Sequence, residues 1–290
     1  MHDATPIGLD YREIWNRVND GSIVPFLGAG ASAYVGMPAA VSLAASLVEA
    51  GEFPEFAGHQ DLAFVAAYVL QKKDTIILNR AVRQALTPPP SPGALHTLLA
   101  GCTNIRLYVT TNYDELLESA LAPRRPWVVV DRGEPGKVSC RNPDGVWRDS
   151  KSDSLRTLIK NSVNPIVLKL HGSVAPDPVD DRFLITEDQY VEFLGRPADK
   201  QIPSMLVDHM KSRSFLFLGY ALRDWNVRVL LRKLQEARGG QKITSWGIVL
   251  HTSQVEKELW HRRDVELRDL DLAEFTSQFA AARPACAGTV

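Results

Sequence analysis

The sequence predicts an α/β fold: a parallel sheet flanked by helices, with a small helical lobe inserted after the first strand. Three observations carry that prediction. Short apolar runs alternate along the chain with segments whose apolar residues recur at helical spacing, the order that builds βαβ units. The runs are rich in Val, Ile, Leu and Phe with few polar interruptions, as strands buried on both faces should be. Between the first run and the second, about seventy residues are helical in pattern with no strand among them.

Tyr11, Ile14, Trp15 and Val18 share one face of a helix over 10–19, which Gly21 ends. Ile23-Val24-Pro25-Phe26-Leu27 is the first strand; Pro25 counts against it, although proline is tolerated near a strand's start. A helix opens near Ser32 or after Pro38 and runs to about Glu49. Leu62, Val65, Ala66, Val69 and Leu70 mark the next, and residues 74–86 another. Thr87-Pro88-Pro89-Pro90-Ser91-Pro92-Gly93 breaks the pattern, and Leu95, Leu98 and Leu99 resume it. Ile105–Val109 is the second strand, followed by a helix over Glu115–Leu121 and a strand at Trp127–Val130. Residues 131–154, rich in Gly, Pro, Ser, Asp and Arg, read as an irregular excursion. Pro165–Leu168 is the next strand, 173–182 a polar, Pro-rich loop, and 184–194 the entry to a helix carrying Thr186, Tyr190 and Phe193. Strands then follow at Ser214–Leu218, Trp246–Leu250 and Val265–Leu267, alternating with helices marked by Val227, Leu230, Leu231 and Leu234, by 253–262 and by 271–281. Gly239-Gly240 stops the first of these helices, and the tail from Ala282 is frayed. This is a Rossmann-like order within a single domain spanning 1–290, the helical lobe occupying about 40–100.

A chain of 290 residues has ample length for a sizeable core. A formal net charge of −1 gives no global basic field. The pairs Arg124-Arg125, Arg228 with Arg232-Lys233, and Arg262-Arg263 read as solvated faces, and the tryptophans, Trp225, Trp246 and Trp260 among them, as core; direct nucleic-acid binding is not expected. No apolar run approaches the roughly 20 residues that span a bilayer, and Met1–Pro6 lacks a secretory start. No membrane association and a cytoplasmic location are the expectations. Cys102, Cys140 and Cys286 are odd in number and widely spaced, which disfavours a disulfide framework. None forms a CxxC pair, so the four-ligand closed zinc site such pairs build is not expected.

Three strings, each just past an apolar run, fall where open α/β sheets bind ligands, at the carboxyl ends of strands. Gly28-Ala29-Gly30-Ala31-Ser32 offers backbone N–H groups to a pyrophosphate, with a helix N-terminus behind them. It reads equally as a tight turn with Ser32 as N-cap. The dehydrogenase pattern, with a third glycine and an acid on a second strand, is not met: Ala33 stands at the third position and Glu49 lies in a helical segment. Thr110-Thr111-Asn112-Tyr113-Asp114 puts a polar amide just past the second strand, and Asp114 reads either as part of the motif or as a helix cap. Lys169-Leu170-His171-Gly172 supplies an imidazole that can take a proton near neutral pH, with Gly172 turning the chain away from it. A fourth element, Gly219-Tyr220 followed by Asp224-Trp225-Asn226, ends a later strand; turn, cap and core readings stand beside the functional one.

Taken together and in this order, the strings resemble the sirtuin family, and more closely its sirtuin-like branch of bacterial NAD-consuming defence proteins, over about Ile23 to Phe279. The resemblance implies cleavage of NAD to nicotinamide and ADP-ribose. Asn112 and His171 would be catalytic, and Gly28, Ala29, Gly30, Ser32, Thr110, Asp114, Gly219, Tyr220 and Asp224 would bind NAD. Two departures argue against lysine deacylation: the cysteine pairs of the sirtuin zinc site are missing, and Gly36-Met37-Pro38 is followed by Ala39 where deacylases place an aspartate. A deacylase or a non-catalytic sensor of NAD or ADP-ribose is the alternative. The resemblance further implies a homo-oligomer, or a partner such as a short Argonaute or a ring-forming ATPase, acting in antiviral defence by abortive infection. The first helix with Tyr11 and Trp15, the arm at 87–93 and the loop at 173–182 are the candidate contacts or lids.

Overall fold

The computed structural model describes residues 9–56, 58–131, 137–151, 162–174, 182–195, 209–220 and 225–284. The chain opens with α1 (Tyr11–Asn19) and β1 (Ile23–Leu27), then runs through α2 (Ala29–Ala33), α3 (Ala40–Gly51), α4 (Leu62–Lys72), α5 (Thr75–Ala85) and α6 (Ala94–Ala100) before β2 (Leu107–Thr110). Next come α7 (Leu116–Leu121), β3 (Trp127–Asp131), β4 (Lys137–Arg141), β5 (Trp147–Lys151), β6 (Ile166–Lys169), β7 (Gly172–Ser173), β8 (Arg182–Phe183) and α8 (Glu187–Gly195). The chain closes with β9 (Ser214–Leu218), α9 (Trp225–Ala237), β10 (Ser245–Val249), α10 (Gln254–His261), β11 (Val265–Asp269) and α11 (Leu272–Ala281).

Among the described residues one sheet has the order β11-β10-β9-β1-β2-β6-β3-β4-β5, and β7 pairs with β8 in a separate small ribbon. From β11 to β3 every pairing is parallel; β4 and β5 extend the edge antiparallel. The sheet is thus mixed but mostly parallel, with helices on its faces. Alternation along the central strands sorts the core. Val24 and Phe26 of β1 and Phe215 and Phe217 of β9 point to one side, against Leu231, Leu234 and Trp260. Ile23, Leu27, Leu216 and Leu218 point to the other, against Ile14, Trp15, Leu95, Leu99, Phe275 and Phe279. A third cluster lies within α3, α4 and α5, built on Leu43, Leu47, Val65, Val69, Leu78 and Val82, and reaches Phe183 and Ile185.

Pro25 sits inside β1 without breaking it. Gly28 N–H donates to Leu218 O, so the N–H groups of alternate residues, Phe26 and Val24, also face β9. The missing donor at Pro25 therefore faces β2, whose pairing with β1 begins only at Phe26. Near Ser32 and after Pro38 the chain forms two helices, α2 and α3, rather than one. Residues 131–154 are not wholly irregular, since β4 and β5 make a hairpin there. Asn142 Oδ1 accepts from Asp144 N at 3.1 Å and from Val146 N at 2.8 Å, and Gly145 takes φ +86°, so the Asn142–Gly145 turn is self-built. The turn residues dominate the composition and mask the short strands on either side, in which Val138 and Cys140 are buried.

Two further expectations are corrected. Trp15 stacks on Phe279 at 4.4 Å and donates Nε1–H to Phe279 O at 2.7 Å, which makes this face of α1 a seat for α11 rather than a lid. Arg124 is no solvated cation: its guanidinium donates to the carbonyls of Ala100, Cys102, Thr103 and Ile105 and to Tyr108 Oη, fastening the α6–β2 connection. Trp246 and Trp260 are core residues, as expected. No helix among the described residues is long and apolar enough to cross a membrane.

Candidate active site

The three strings converge because β1, β2 and β6 are neighbours in register. Leu27 pairs with Thr110, and Thr110 with Lys169. Gly28, Asn112 and His171 therefore leave the same end of three adjacent parallel strands, at the carboxyl edge where such sheets take ligands.

Side chains then lock the strings to one another. Thr110 Oγ1 donates to Leu27 O at 3.0 Å and accepts from Asn112 N at 3.0 Å. Asn112 Nδ2 donates to Gly28 O at 3.0 Å and to Ser32 Oγ at 2.8 Å. Both donors of that amide are committed, which fixes its orientation and leaves Oδ1 to act as an acceptor. Ser32 lies within α2 and meets Asn112; it is not the cap of the helix. Glu115, and not Asp114, stands at the N-cap of α7; Asp114, one residue earlier, accepts on Oδ1 from Leu116 N at 3.0 Å across a local turn.

The glycines act through closeness. A Cβ on Gly28 would lie 2.5 Å from the Tyr220 ring and 2.7 Å from Gly219 O, and one on Gly30 2.8 Å from Gly219 O. Gly219 takes φ +65°, and a Cβ there would lie 2.2 Å from Ala31 N. Gly30 N–H donates to Gly219 O at 2.8 Å, and Ala31 N–H to Gly28 O at 3.0 Å. These two amides are spent inside the protein, so the turn after β1 is held by the turn after β9. Tyr220 is buried edge-on against Phe26 at 5.5 Å.

His171 is 4% exposed and its ring lies 5.5 Å from that of Tyr190. Gly172 follows at φ +94°, a conformation that favours glycine, and allows the sharp turn expected of it. The chain returns through β8, where Leu184 N donates to His171 O at 2.8 Å and Tyr113 Oη to Leu184 O at 2.9 Å. Thr186 and Gln189 form a reciprocal cap at the start of α8: Gln189 Oε1 accepts from Ile185 N and Thr186 N, and Thr186 Oγ1 from Gln189 N. That cap sets the first turn of α8 and so the place of Tyr190. Between α4 and α8 lies a cavity of about 590 Å³ walled by Phe64, Tyr68, Glu187 and Asp188.

Of the residues singled out from the sequence, Gly28, Ala29, Gly30, Ser32, Thr110, Asn112, Asp114, His171, Gly219 and Tyr220 gather at this end of the sheet. Asp224 lies outside the described residues, and the side chains of Trp225 and Asn226 are likewise not described. Sequence reading missed three groups. Tyr190 was placed on its helix but given no partner. His96, 1% exposed, sits close enough to feel the Asp114 charge; burial holds its pKa below the usual histidine value, against the pull of that carboxylate. Lys169 and Glu118 form a buried ion pair at 2.8 Å.

An open, mostly parallel sheet carrying a glycine turn, an oriented amide and an imidazole at its carboxyl edge defines a Rossmann-like domain with its polar cluster at the ligand end. The chain belongs to the SIR2-like domain family, whose model matches residues 106–268. It is 27% identical over 231 residues to an NAD(+) hydrolase ThsA of Cytobacillus dafuensis, covering 79% of this chain and 41% of that protein. It is 29% identical over 146 residues to an NAD(+) hydrolase ThsA of Acinetobacter baumannii (strain 532279), covering 50% of this chain and 25% of that one. The chain thus spans less than half the length of these relatives. Its backbone is similar to that of a Sir2 homologue solved as its NAD complex, with a TM-score of 0.53 at 12% identity over 93% of this chain and 92% of the other.

Proposed function

We propose that this chain is an NAD glycohydrolase, cleaving the bond between nicotinamide and ribose to give nicotinamide and ADP-ribose. The observation that carries the reading is the fixed amide of Asn112 on the strand end next to that of His171. In the reaction the C1′–N bond breaks with its electron pair going to the pyridine nitrogen. That nitrogen loses its positive charge and nicotinamide leaves neutral. The ribose carbon passes through an oxocarbenium-like state. Water bonds to C1′ and gives its proton to His171. Asn112 Oδ1 accepts from the ribose hydroxyl or the water and sets its position. Gly28, Ala29, Gly30 and Ser32 border the pyrophosphate and Gly219 and Tyr220 the adenosine side; Asp224, outside the described residues, is the remaining candidate for NAD binding. Thr110 and Asp114 support the loop. The chemistry needs no zinc.

The chain acts as one NAD-binding domain, 1–290, with the helical lobe inside it. An NADase with unrestrained activity would drain its own cell, so control by self-assembly or by a sensor or ATPase partner, in a cytoplasmic antiviral role, completes the proposal. The loop at 173–182, named above as a candidate lid, follows His171 and lies mostly outside the described residues.

Purified protein incubated with NAD should release free nicotinamide, at a low basal rate that rises with assembly or a partner. Asn112→Ala and His171→Ala should each lower turnover by about two powers of ten or more with the fold intact. Near-wild-type turnover in either variant overturns the catalytic assignment. Binding of NAD without turnover under any condition would make the chain a sensor, and consumption of NAD only with an acyl-lysine peptide a deacylase.

A further inference from the structure

Lys169 lies two residues before His171 on β6, between β2 and β3, and is fully buried. Its ammonium donates to Glu118 Oε1 at 2.8 Å and to the main-chain oxygen of Asp114. Glu118, in the first turn of α7, is also buried, and burial pushes its carboxyl above the usual range against the pull of Lys169. Its other oxygen, Oε2, has no hydrogen-bond partner among the described residues, and the residue lines a cavity of about 280 Å³ with Glu115, Arg125 and Arg141. A buried ion pair is a poor stability device, because desolvation offsets most of the Coulombic gain. What this pair does supply is a tie. Through one side chain it joins the strand that presents His171 to both ends of the segment that follows Asn112.

We propose that Lys169 and Glu118 are positioning residues that set Asn112 and His171 at their working separation. The proposal rests on the reading of those two residues as catalytic. From the front, Thr110 and Tyr113 hold the Asn112 loop to β1 and β8. From behind, within the core, the Lys169 ammonium bonds Asp114 O, which lies two residues beyond Asn112. Loss of that bond frees the loop to shift, while the glycine turn keeps its backbone bond from Gly30 N–H to Gly219 O on the adenosine side. A misplacement of about 1 Å at reacting groups can cost roughly a hundredfold in rate. The expected signature is therefore in kcat and not in KM.

The test uses the double variant Lys169→Met/Glu118→Leu, in which apolar side chains of similar length replace the pair. Amide hydrogen exchange is the first readout, since it needs no turnover. Thr111–Leu116 should exchange about tenfold faster or more than in the parent, with β1 and β9 unchanged. In NAD cleavage, kcat should fall about tenfold or more while KM stays within about threefold. Unchanged exchange at Thr111–Leu116, or unchanged kcat, overturns the proposal. If the double variant does not fold, the parent protein still decides. Its Asn112 and Leu116 amides should exchange as slowly as that of Leu168, and faster exchange there overturns the clamp. A parent that never cleaves NAD refutes the proposed reaction, whereas the exchange result still stands or falls by itself.

Discussion

On the β1–β9 side of the crevice backbone meets backbone, whereas on the β2–β6 side buried polar side chains make the joins. Gly28, Gly30 and Gly219 bring two turns so close that no Cβ fits between them. Across the crevice, Thr110, Asn112, Lys169 and Glu118 reach the same rigidity through hydrogen bonds and an ion pair. The first construction excludes side chains and tolerates no added atom. The second depends on partners, and fails when one member is removed and the other left stranded. The difference tells which substitutions each side should resist.

The largest effect should come from stranding a charge. Lys169→Met alone leaves Glu118 buried without its partner and should cost about 3–5 kcal/mol, read as a fall in Tm of roughly 6–15 °C. The double variant with Glu118→Leu should recover most of that loss. A single variant as stable as the double would mean that the pair is not coupled.

Gly219→Ala should come next. It combines a left-handed φ with direct overlap on Ala31 N, worth about 2–4 kcal/mol together. Gly240→Ala is its control, at φ +88° with nothing among the described residues within 4 Å, and should cost only the backbone share of about 1–2 kcal/mol. Equal losses at both positions, by chemical denaturation, would show that the close approach of the two turns carries no weight.

Asp114→Ala removes the acceptor for Leu116 N and should cost about 1 kcal/mol, the usual net worth of a hydrogen bond. Asp114→Asn keeps an oxygen there and should recover about half of it or more. If both variants match the parent in urea titrations, the bond from Leu116 N to Asp114 contributes nothing to stability.

The smallest effect is one of pH. Burial lowers the pKa of His96, and burial with the nearby Arg213 brings His209 from 6.5 down to about 4. Both stay neutral in the folded chain at pH values where the unfolded chain takes up a proton. Stability should therefore decline as pH falls from about 6.5 to about 4, and His209→Gln should flatten that slope. A slope unchanged in the variant would assign the acid loss to other groups.

The centre of the sheet was legible because β1, β2, β6 and β9 are nearly unbroken apolar runs, and the candidate site because each motif follows such a run directly. Pro25 looked like a defect only because its unpaired flank cannot be seen in a linear sequence. The β4–β5 hairpin was hidden by its own turn, whose Asn142, Pro143, Asp144 and Gly145 weigh as heavily as the short strands beside them. Arg124, Lys169 and Glu118 were misread or passed over for a shared reason. Charged side chains default to solvent, and their burial depends on carbonyls and counter-charges supplied by distant segments. Tyr190 and His96 gain meaning only from neighbours in space.

The turn after β1 and the turn after β9 are finished at very different moments. At synthesis rates of roughly 5–20 residues per second, Gly28–Ser32 leaves the ribosome about ten to forty seconds before Gly219 follows. Until then Gly30 N–H lacks its acceptor, and the turn is held from the Asn112 side, at Gly28 O and Ser32 Oγ, without its partner across β9. A chain that stalls or is cut before β9 carries Asn112 and His171 but not the brace behind the glycines. Under the proposed reaction, translation is thereby its own safety catch: fragments that a cell makes in error carry the proposed catalytic pair beside a seat that is only half braced.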